Sequence, residues 1–342
     1  MNDIQKIQII HNLKEAFSCS PEFVQELLAN IENSKYRDNI ERFFRGYSIE
    51  DKFHYAMNAL PWVRLVHKLD QTQYPECSKK EFQVPDYQVF YEDFNRDCFP
   101  SLLEVKSVKK EKHSLKIQKK QVDLCSDYSK TISSPLIYAI YWEILNTWTF
   151  NVIDQFESKS SILKINIQES IKNDLSAIYG NVNYIIPPLT RISVFDSSLS
   201  RTDKPSHEKY GVVVSDSLST NNKTFIELSD IDGSVLDSCI PLVEHSQEFE
   251  GSKTTIIEKS ENTNFFKLLN VILAHMALAT GVLNKEKSRF SMFFVIEFFE
   301  KMNFKHTFSI PNKHTNMGFD LYQTSFNATS IMNDYKKFHK IK

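Results

Sequence analysis

Residues 82–108 read FQVPDYQVFYEDFNRDCFPSLLEVKSV, and this stretch decides the fold. Phe82–Val84, Tyr87–Tyr91 and Leu102–Val108 are short, rich in β-branched and aromatic residues and separated by polar turns, which predicts three strands. Asp86 follows Pro85 at the start of one of them. Eighteen residues later Glu104-Val105-Lys106 lies inside another, with apolar residues on both sides. Alternate side chains of a strand share a face, so Glu104 and Lys106 point together and Val105 points into the core. If the Asp86 strand pairs with the Glu104 strand, the two carboxylates can converge on one cation. Mg²⁺ prefers oxygen ligands and typically takes one or two protein carboxylates plus waters. A lysine beside it can orient a water and offset charge developing on a phosphate.

Working outward, His113–Tyr128 has apolar residues at Leu115, Val122 and Cys125 with lysines between, which predicts an amphipathic helix. Pro135 opens LIYAIYW (136–142), an apolar run expected to be a strand buried on both faces, and Trp148–Ile153 is expected as the next strand. Upstream, residues 1 to about 70 read as helical, with Ser48 as a plausible N-cap for a helix from Glu50 to Leu60. The order helix, strands, helix, strands predicts an α/β core with a mixed sheet flanked by helices. ESKSS at 157–161 is polar and reads as a boundary. Beyond it come an expected helix, Ile165–Ile178, strand-like runs at Tyr184–Ile186, Ile192–Phe195, Tyr210–Val214, Thr224–Leu228 and Thr254–Ile257, and two Phe-rich helical segments, Phe265–Leu283 and Phe290–Met302. The expected organisation is a catalytic domain over 1–157 and a second, α+β domain over 158–342.

The bare tripeptide, an acidic residue two positions before lysine, also occurs at Glu50-Asp51-Lys52, Glu157-Ser158-Lys159 and Asp334-Tyr335-Lys336. Of these four, only the one at Glu104 has apolar strand on both sides and a Pro-Asp pair upstream. The ordered series resembles the PD-(D/E)xK nuclease superfamily, the restriction-endonuclease-like nucleases, over roughly residues 45–155. The resemblance implies that Asp86 and Glu104 bind the metal, that the Val105 carbonyl can face it and that Lys106 is the catalytic lysine. It also implies roles for Glu50, which matches an acidic residue on the preceding helix, and for Gln121 or Tyr128 on the following one. The expected cofactor is Mg²⁺, with Mn²⁺ as a substitute. The expected reaction is hydrolysis of phosphodiester bonds in DNA, in restriction, phage defence or repair.

Each residue also has a plainer reading. An Asp after proline is commonly a turn residue. Glu104 and Lys106 could form a solvated strand face or a cross-strand ion pair, and Glu50 could be a first-turn carboxylate favoured by the helix dipole. Seven lysines lie between 106 and 120, namely Lys106, Lys109, Lys110, Lys112, Lys116, Lys119 and Lys120, opposed only by Glu111. They can contact phosphates, which provide most sequence-independent affinity for nucleic acid, or they can be an ordinary solvated face. The rival functions are a catalytically inactive nuclease fold used for nucleic-acid binding or assembly, and a nuclease directed at RNA.

Composition sets the outer bounds. The 342 residues are 41% hydrophobic and 25% charged, as in folded globular proteins, with a net charge of −2. Nucleic-acid binding would therefore need a local basic face. Seven glycines, with no GxGxxG or P-loop pattern, speak against a nucleotide cofactor. Five scattered cysteines form no CxxC pair and suit a reducing compartment. The N-terminal sequence lacks a signal-peptide pattern, and Phe265–Leu283, interrupted by Lys267, Asn270 and His275, reads as a buried core helix rather than a membrane span. A cytoplasmic location is expected. Phosphate contacts carry no sequence information, so the second half is expected to support substrate choice or homodimer formation and to hold no second catalytic site.

Overall fold

The computed structural model describes residues 3–17, 19–60, 62–92, 97–200, 205–220, 223–269 and 295–307. Among them the chain divides into two compact units, one within Met1–Tyr55, His67–Gln88 and Ser101–Ile171, the other within Ala56–Val66, Val89–Pro100 and Lys172–Lys342.

The chain begins with helices α1 (Asp3–Phe17), α2 (Pro21–Leu28), α3 (Ser34–Arg37) and α4 (Ile40–Ala59), the first three and α4 up to Tyr55 belonging to the first unit. Ser20 caps α2 by accepting the Phe23 N–H, with Pro21 at the first helical position. Ile7, Ile10, Val24, Leu28, Ile31 and Phe44 close a small core between these helices. The expected break at Ser48 does not occur. Phe44, Ile49 and Phe53 are all buried, so one apolar stripe runs past Ser48 and overrides the local cap signal.

A five-stranded sheet follows, in the order β1 (Val63–Lys68), β2 (Tyr87–Glu92), β3 (Cys98–Val108), β5 (Leu136–Trp142), β6 (Thr147–Asn151). β3 and β5 are parallel, pairing Glu104 with Tyr138 and Lys106 with Ile140, while β5 and β6 are antiparallel. The sheet is therefore mixed. β5 is buried from Ile137 to Trp142, as its unbroken apolar run requires. β1 lies in the stretch expected to be helical; its pairing with β2 outweighs local propensity. Phe82–Val84 is irregular rather than a strand. Pro85 has no N–H to give a ladder, and Gln83 N–H donates instead to the Leu124 carbonyl.

The largest correction falls on His113–Tyr128. Its first part is strand β4 (Ser114–Gln118), and the helix α5 spans only Lys119–Thr131. Leu115 and Ile117 are buried while Lys116 and Gln118 are exposed, a period of two that a strand satisfies and a helix cannot. β4 pairs with β8 (Ile162–Asn166), which pairs in turn with β7 (Glu157–Lys159), giving a second, three-stranded sheet. The polar stretch 157–161, read as a boundary, is thus a hairpin inside the first unit, turning at Ser160 with φ +55°. Leu115, Ile117, Leu163 and Ile165 pack with Val108, Val122, Tyr138, Ile140 and Trp142 into one core. The helix expected over Ile165–Ile178 is shorter, α6 (Ile167–Lys172).

The second unit carries β9 (Asn183–Ile186), β10 (Leu189–Asp196), β11 (Ser206–His207), β12 (Gly211–Ser219), β13 (Ile226–Glu227), α7 (Asp230–Cys239), β14 (Val243–Glu250), β15 (Lys253–Ser260), β16 (Asn264–Lys267) and β17 (Lys305–Thr307). One sheet runs β11-β12-β10-β15-β14 with β13 on β12; another runs β16-β9-β17. β14 and α7 have no counterpart in the sequence reading. α7 is announced by a capping box between Ser229 and Asp232. Arg191 on β10 gathers Asp216, Asp237 and Glu258. Of the Phe-rich segments, 270–294 lie outside the described residues; 264–267 form β16 and 295–301 are helical. All five cysteines are free. Among the described residues no helix is long and apolar enough to cross a membrane.

Candidate active site

Asp86 immediately precedes β2, and its side chain takes the place of a main-chain acceptor where that strand begins. Its Oδ2 accepts the N–H of Val105 at 2.7 Å. One carboxylate is thereby fixed against β3 between Glu104 and Lys106. The Glu104 and Lys106 side chains leave β3 on one face, and Lys106 Nζ donates to Glu104 Oε1 at 2.6 Å. Gln121, in the first turn of α5, brings Nε2 to 3.5 Å from the same oxygen. The other carboxylate oxygen, Glu104 Oε2, is buried without a hydrogen-bond partner. Glu104 is 2% exposed, which rules out a solvated strand face.

Glu50 does not sit in a first turn, because α4 starts ten residues earlier at Ile40. It is half-buried and paired with Lys68 of β1 at 2.9 Å, and the Tyr87 hydroxyl donates to its main-chain carbonyl at 3.1 Å. Glu104 and Glu50 both feel the Asp86 carboxylate. Burial first, then Asp86, push the Glu104 carboxyl up to about 7, with Lys106 pulling the other way. Burial and Asp86 likewise raise Glu50, opposed by Lys68 and Lys106. Burial disfavours the Lys106 ammonium, but Glu104 and Asp86 outweigh it and hold its pKa above the ordinary value. Three acids against two lysines leave a desolvated excess of negative charge, an arrangement that a divalent cation would neutralise.

Asp86, Val105, Lys106, Glu50 and Gln121 line a cleft of ≈ 1450 Å³. One wall is α4, from Asp38 to Glu50; the other is the β3–β4 connection and β4, with Lys109, Lys112 and Lys116. The seven lysines do not share one face, since Lys116 lies on strand β4 and Lys119 and Lys120 on helix α5. Lys110 lines a separate pocket of ≈ 450 Å³ with Lys52 and Tyr141, and Lys119 and Lys120 open α5 outside the cleft lining. Tyr128 lies two turns beyond Gln121, half-buried and away from the cleft lining. Lys68, Arg42 and Arg45 were not singled out from the sequence. The two arginines were legible in the spacing Arg42, Arg45, Gly46, Glu50, once 40–59 is seen as one helix.

Among the described residues no three His, Cys, Asp or Glu side chains gather as a complete metal-ligand set. The chain would thus supply two carboxylates and a carbonyl, which suits an ion that retains several waters. The orphaned Glu104 Oε2, buried beside Asp86 and Glu50, fits such an ion.

No family model matches the chain, and no curated protein matches it. Among solved structures, a Holliday junction resolvase from the archaeal hyperthermophile Archaeoglobus fulgidus is similar over 40% of this chain and 96% of its own, at 14% identity and a TM-score of 0.30.

Proposed function

We propose that this chain is a metal-dependent nuclease with a restriction-endonuclease-like core, hydrolysing phosphodiester bonds in DNA. The observation that carries the reading is the buried, partnerless Glu104 Oε2 within the Asp86–Glu104–Lys106 cluster, of which Asp86 and Lys106 line the cleft and Glu104 lies behind its lining. An unsatisfied buried carboxylate oxygen is costly, and a cation ligand would satisfy it. Asp86, Glu104 and the Val105 carbonyl would hold Mg²⁺, or Mn²⁺ in its place, with Glu50 beside them. Bound there, the ion would supply Lewis-acid polarisation of a phosphate and acidify a coordinated water.

The remaining work falls to the side chains. Lys106, held by Glu104, stays protonated and so serves as a cation and hydrogen-bond donor toward a phosphate oxygen rather than as a base. Gln121 and Lys106 together fix the Glu104 carboxylate, and Lys68 does the same for Glu50. Lys109, Lys112 and Lys116 line the cleft and offer phosphate contacts that position a strand without reading its bases. The second half of the chain, residues 158–342, is assigned to substrate choice or homodimer formation.

The test incubates the full chain with plasmid, single-stranded DNA and RNA, each with Mg²⁺ and with EDTA. Cleavage of DNA that requires the cation is expected. Absence of cleavage in every arm would refute the proposal, and cleavage confined to RNA would replace its substrate.

A further inference from the structure

The wall of the cleft formed by α4 contains a place with no side chain. Gly46 lies in the interior of a 20-residue helix, where glycine is destabilising relative to alanine. Nothing among the described residues calls for it. Its backbone is not among those with positive φ, and a Cβ built on it would meet no atom within 4 Å. Gly46 nevertheless lines the cleft, one helical turn from Arg42 on one side and from Glu50 on the other. These three positions therefore stack on one face of α4, ending at Glu50 beside the carboxylate cluster. Arg42 is exposed and makes no ion pair among the described residues. Arg45, beside the bare patch, is anchored by Glu143 at 2.8 Å and by the Ser107 hydroxyl at 3.4 Å. Asp38 and Glu41 also line the cleft, and Lys109, Lys112 and Lys116 contribute cations from the other wall.

We propose that Gly46 is the crossing point of the bound nucleic-acid strand, whose sugar–phosphate backbone lies directly on the bare surface of α4, with the Arg42 guanidinium on a flanking phosphate. This rests on the nuclease reading and adds the strand's path to it. Glycine is the residue that lets a ligand's backbone approach a helix closely, and an unpaired arginine one turn away provides the fork that suits a phosphate. The stability forgone at Gly46 is accounted for by the space it leaves.

The experiment compares full-length wild type with Gly46→Ala and Arg42→Ala. It measures thermal midpoint, affinity for a fluorescein-labelled oligodeoxynucleotide (single-stranded and duplex) in EDTA, and Mg²⁺-dependent KM and kcat. Gly46→Ala is expected to raise Tm by about 2 °C, yet to weaken binding and raise KM by about tenfold with little change in kcat. Arg42→Ala is expected to reduce the slope of log K against log salt by about 0.7 for a single strand or about 0.9 for a duplex. Wild-type affinity and KM in Gly46→Ala would overturn the proposal while leaving the nuclease reading intact. So would a joint loss of Tm and affinity, which would mean that the glycine serves folding. An unchanged salt slope in Arg42→Ala would remove the arginine contact. A wild type that neither binds nor cuts any nucleic acid would overturn both readings at once.

Discussion

Replacing Glu104 by Gln should make the metal-free protein more stable at neutral and alkaline pH. The folded state raises this carboxyl from 4.5 to about 7, chiefly through burial and then through Asp86. A raised carboxyl binds its proton more tightly in the native than in the unfolded chain, so native stability falls as pH climbs between those two values and is level above them. At about 1.4 kcal/mol per pH unit, ionised Glu104 costs up to about 3 kcal/mol near pH 8 and under about 1 kcal/mol near pH 5. Glutamine keeps an oxygen that can accept from Lys106 and discards the charge. It also leaves Asp86 and Glu50 to balance Lys106 and Lys68, so the site becomes neutral. Urea unfolding in EDTA should therefore show Glu104→Gln more stable than wild type by about 1–3 kcal/mol near pH 8, the gain shrinking toward pH 5. Adding Mg²⁺ should then raise the Tm of wild type and leave the variant unmoved. A variant less stable than wild type at pH 8 in EDTA would show that ionised Glu104 is a net asset to the fold as the partner of Lys106. The picture of a surplus negative charge awaiting a cation would then be wrong.

Three further outcomes follow from the same geometry. Asp86→Ala should abolish cleavage and cost about 1–2 kcal/mol by orphaning the Val105 N–H; Asp86→Asn should abolish cleavage at smaller cost, and urea titrations separate the two. Lys106→Ala should lower kcat more than it weakens oligonucleotide binding, since the proposed mechanism sets the ammonium against the reacting phosphate, and an equal fall in both would contradict that placement. Ile117→Ala should destabilise by about 2–4 kcal/mol, while Lys116→Ala should change stability by under about 0.5 kcal/mol. Similar losses at both positions would contradict the two-sided strand β4.

The parts of the fold that were legible in sequence are those where local pattern and tertiary role agree. LIYAIYW reads as a strand because it is apolar without break, and a strand buried on both faces needs that. Glu104 and Lys106 share a face because side chains alternate, whatever the neighbours are. Legibility failed where a long-range partner decides. Ser114–Gln118 is a strand because β8, more than forty residues away, pairs with it; taken alone, Leu115, Val122 and Cys125 fit a helical wheel equally well. Val63–Lys68 was absorbed into the helical N-terminus for the same reason, and with it Lys68, the partner of Glu50, went unseen. Ser48 carried a real capping preference that the buried Phe44–Ile49–Phe53 stripe overruled. The lysine run was visible as charge, but its division between cleft, side pocket and helix start depends on a turn that composition does not encode.

The division of the chain into units has a consequence for inheritance and engineering. The path passes from one unit to the other after Tyr55, Val66, Gln88, Pro100 and Ile171. A single protease nick, a single gene fusion or a single recombination crossover therefore cannot deliver either unit whole. During synthesis the first unit has all its segments once Ile171 has emerged. The two N-terminal segments of the second, Ala56–Val66 and Val89–Pro100, are made well before the rest of their unit, which begins at Lys172. Whatever the second unit does, it has to be exchanged, shortened or lost together with pieces of the first half of the chain.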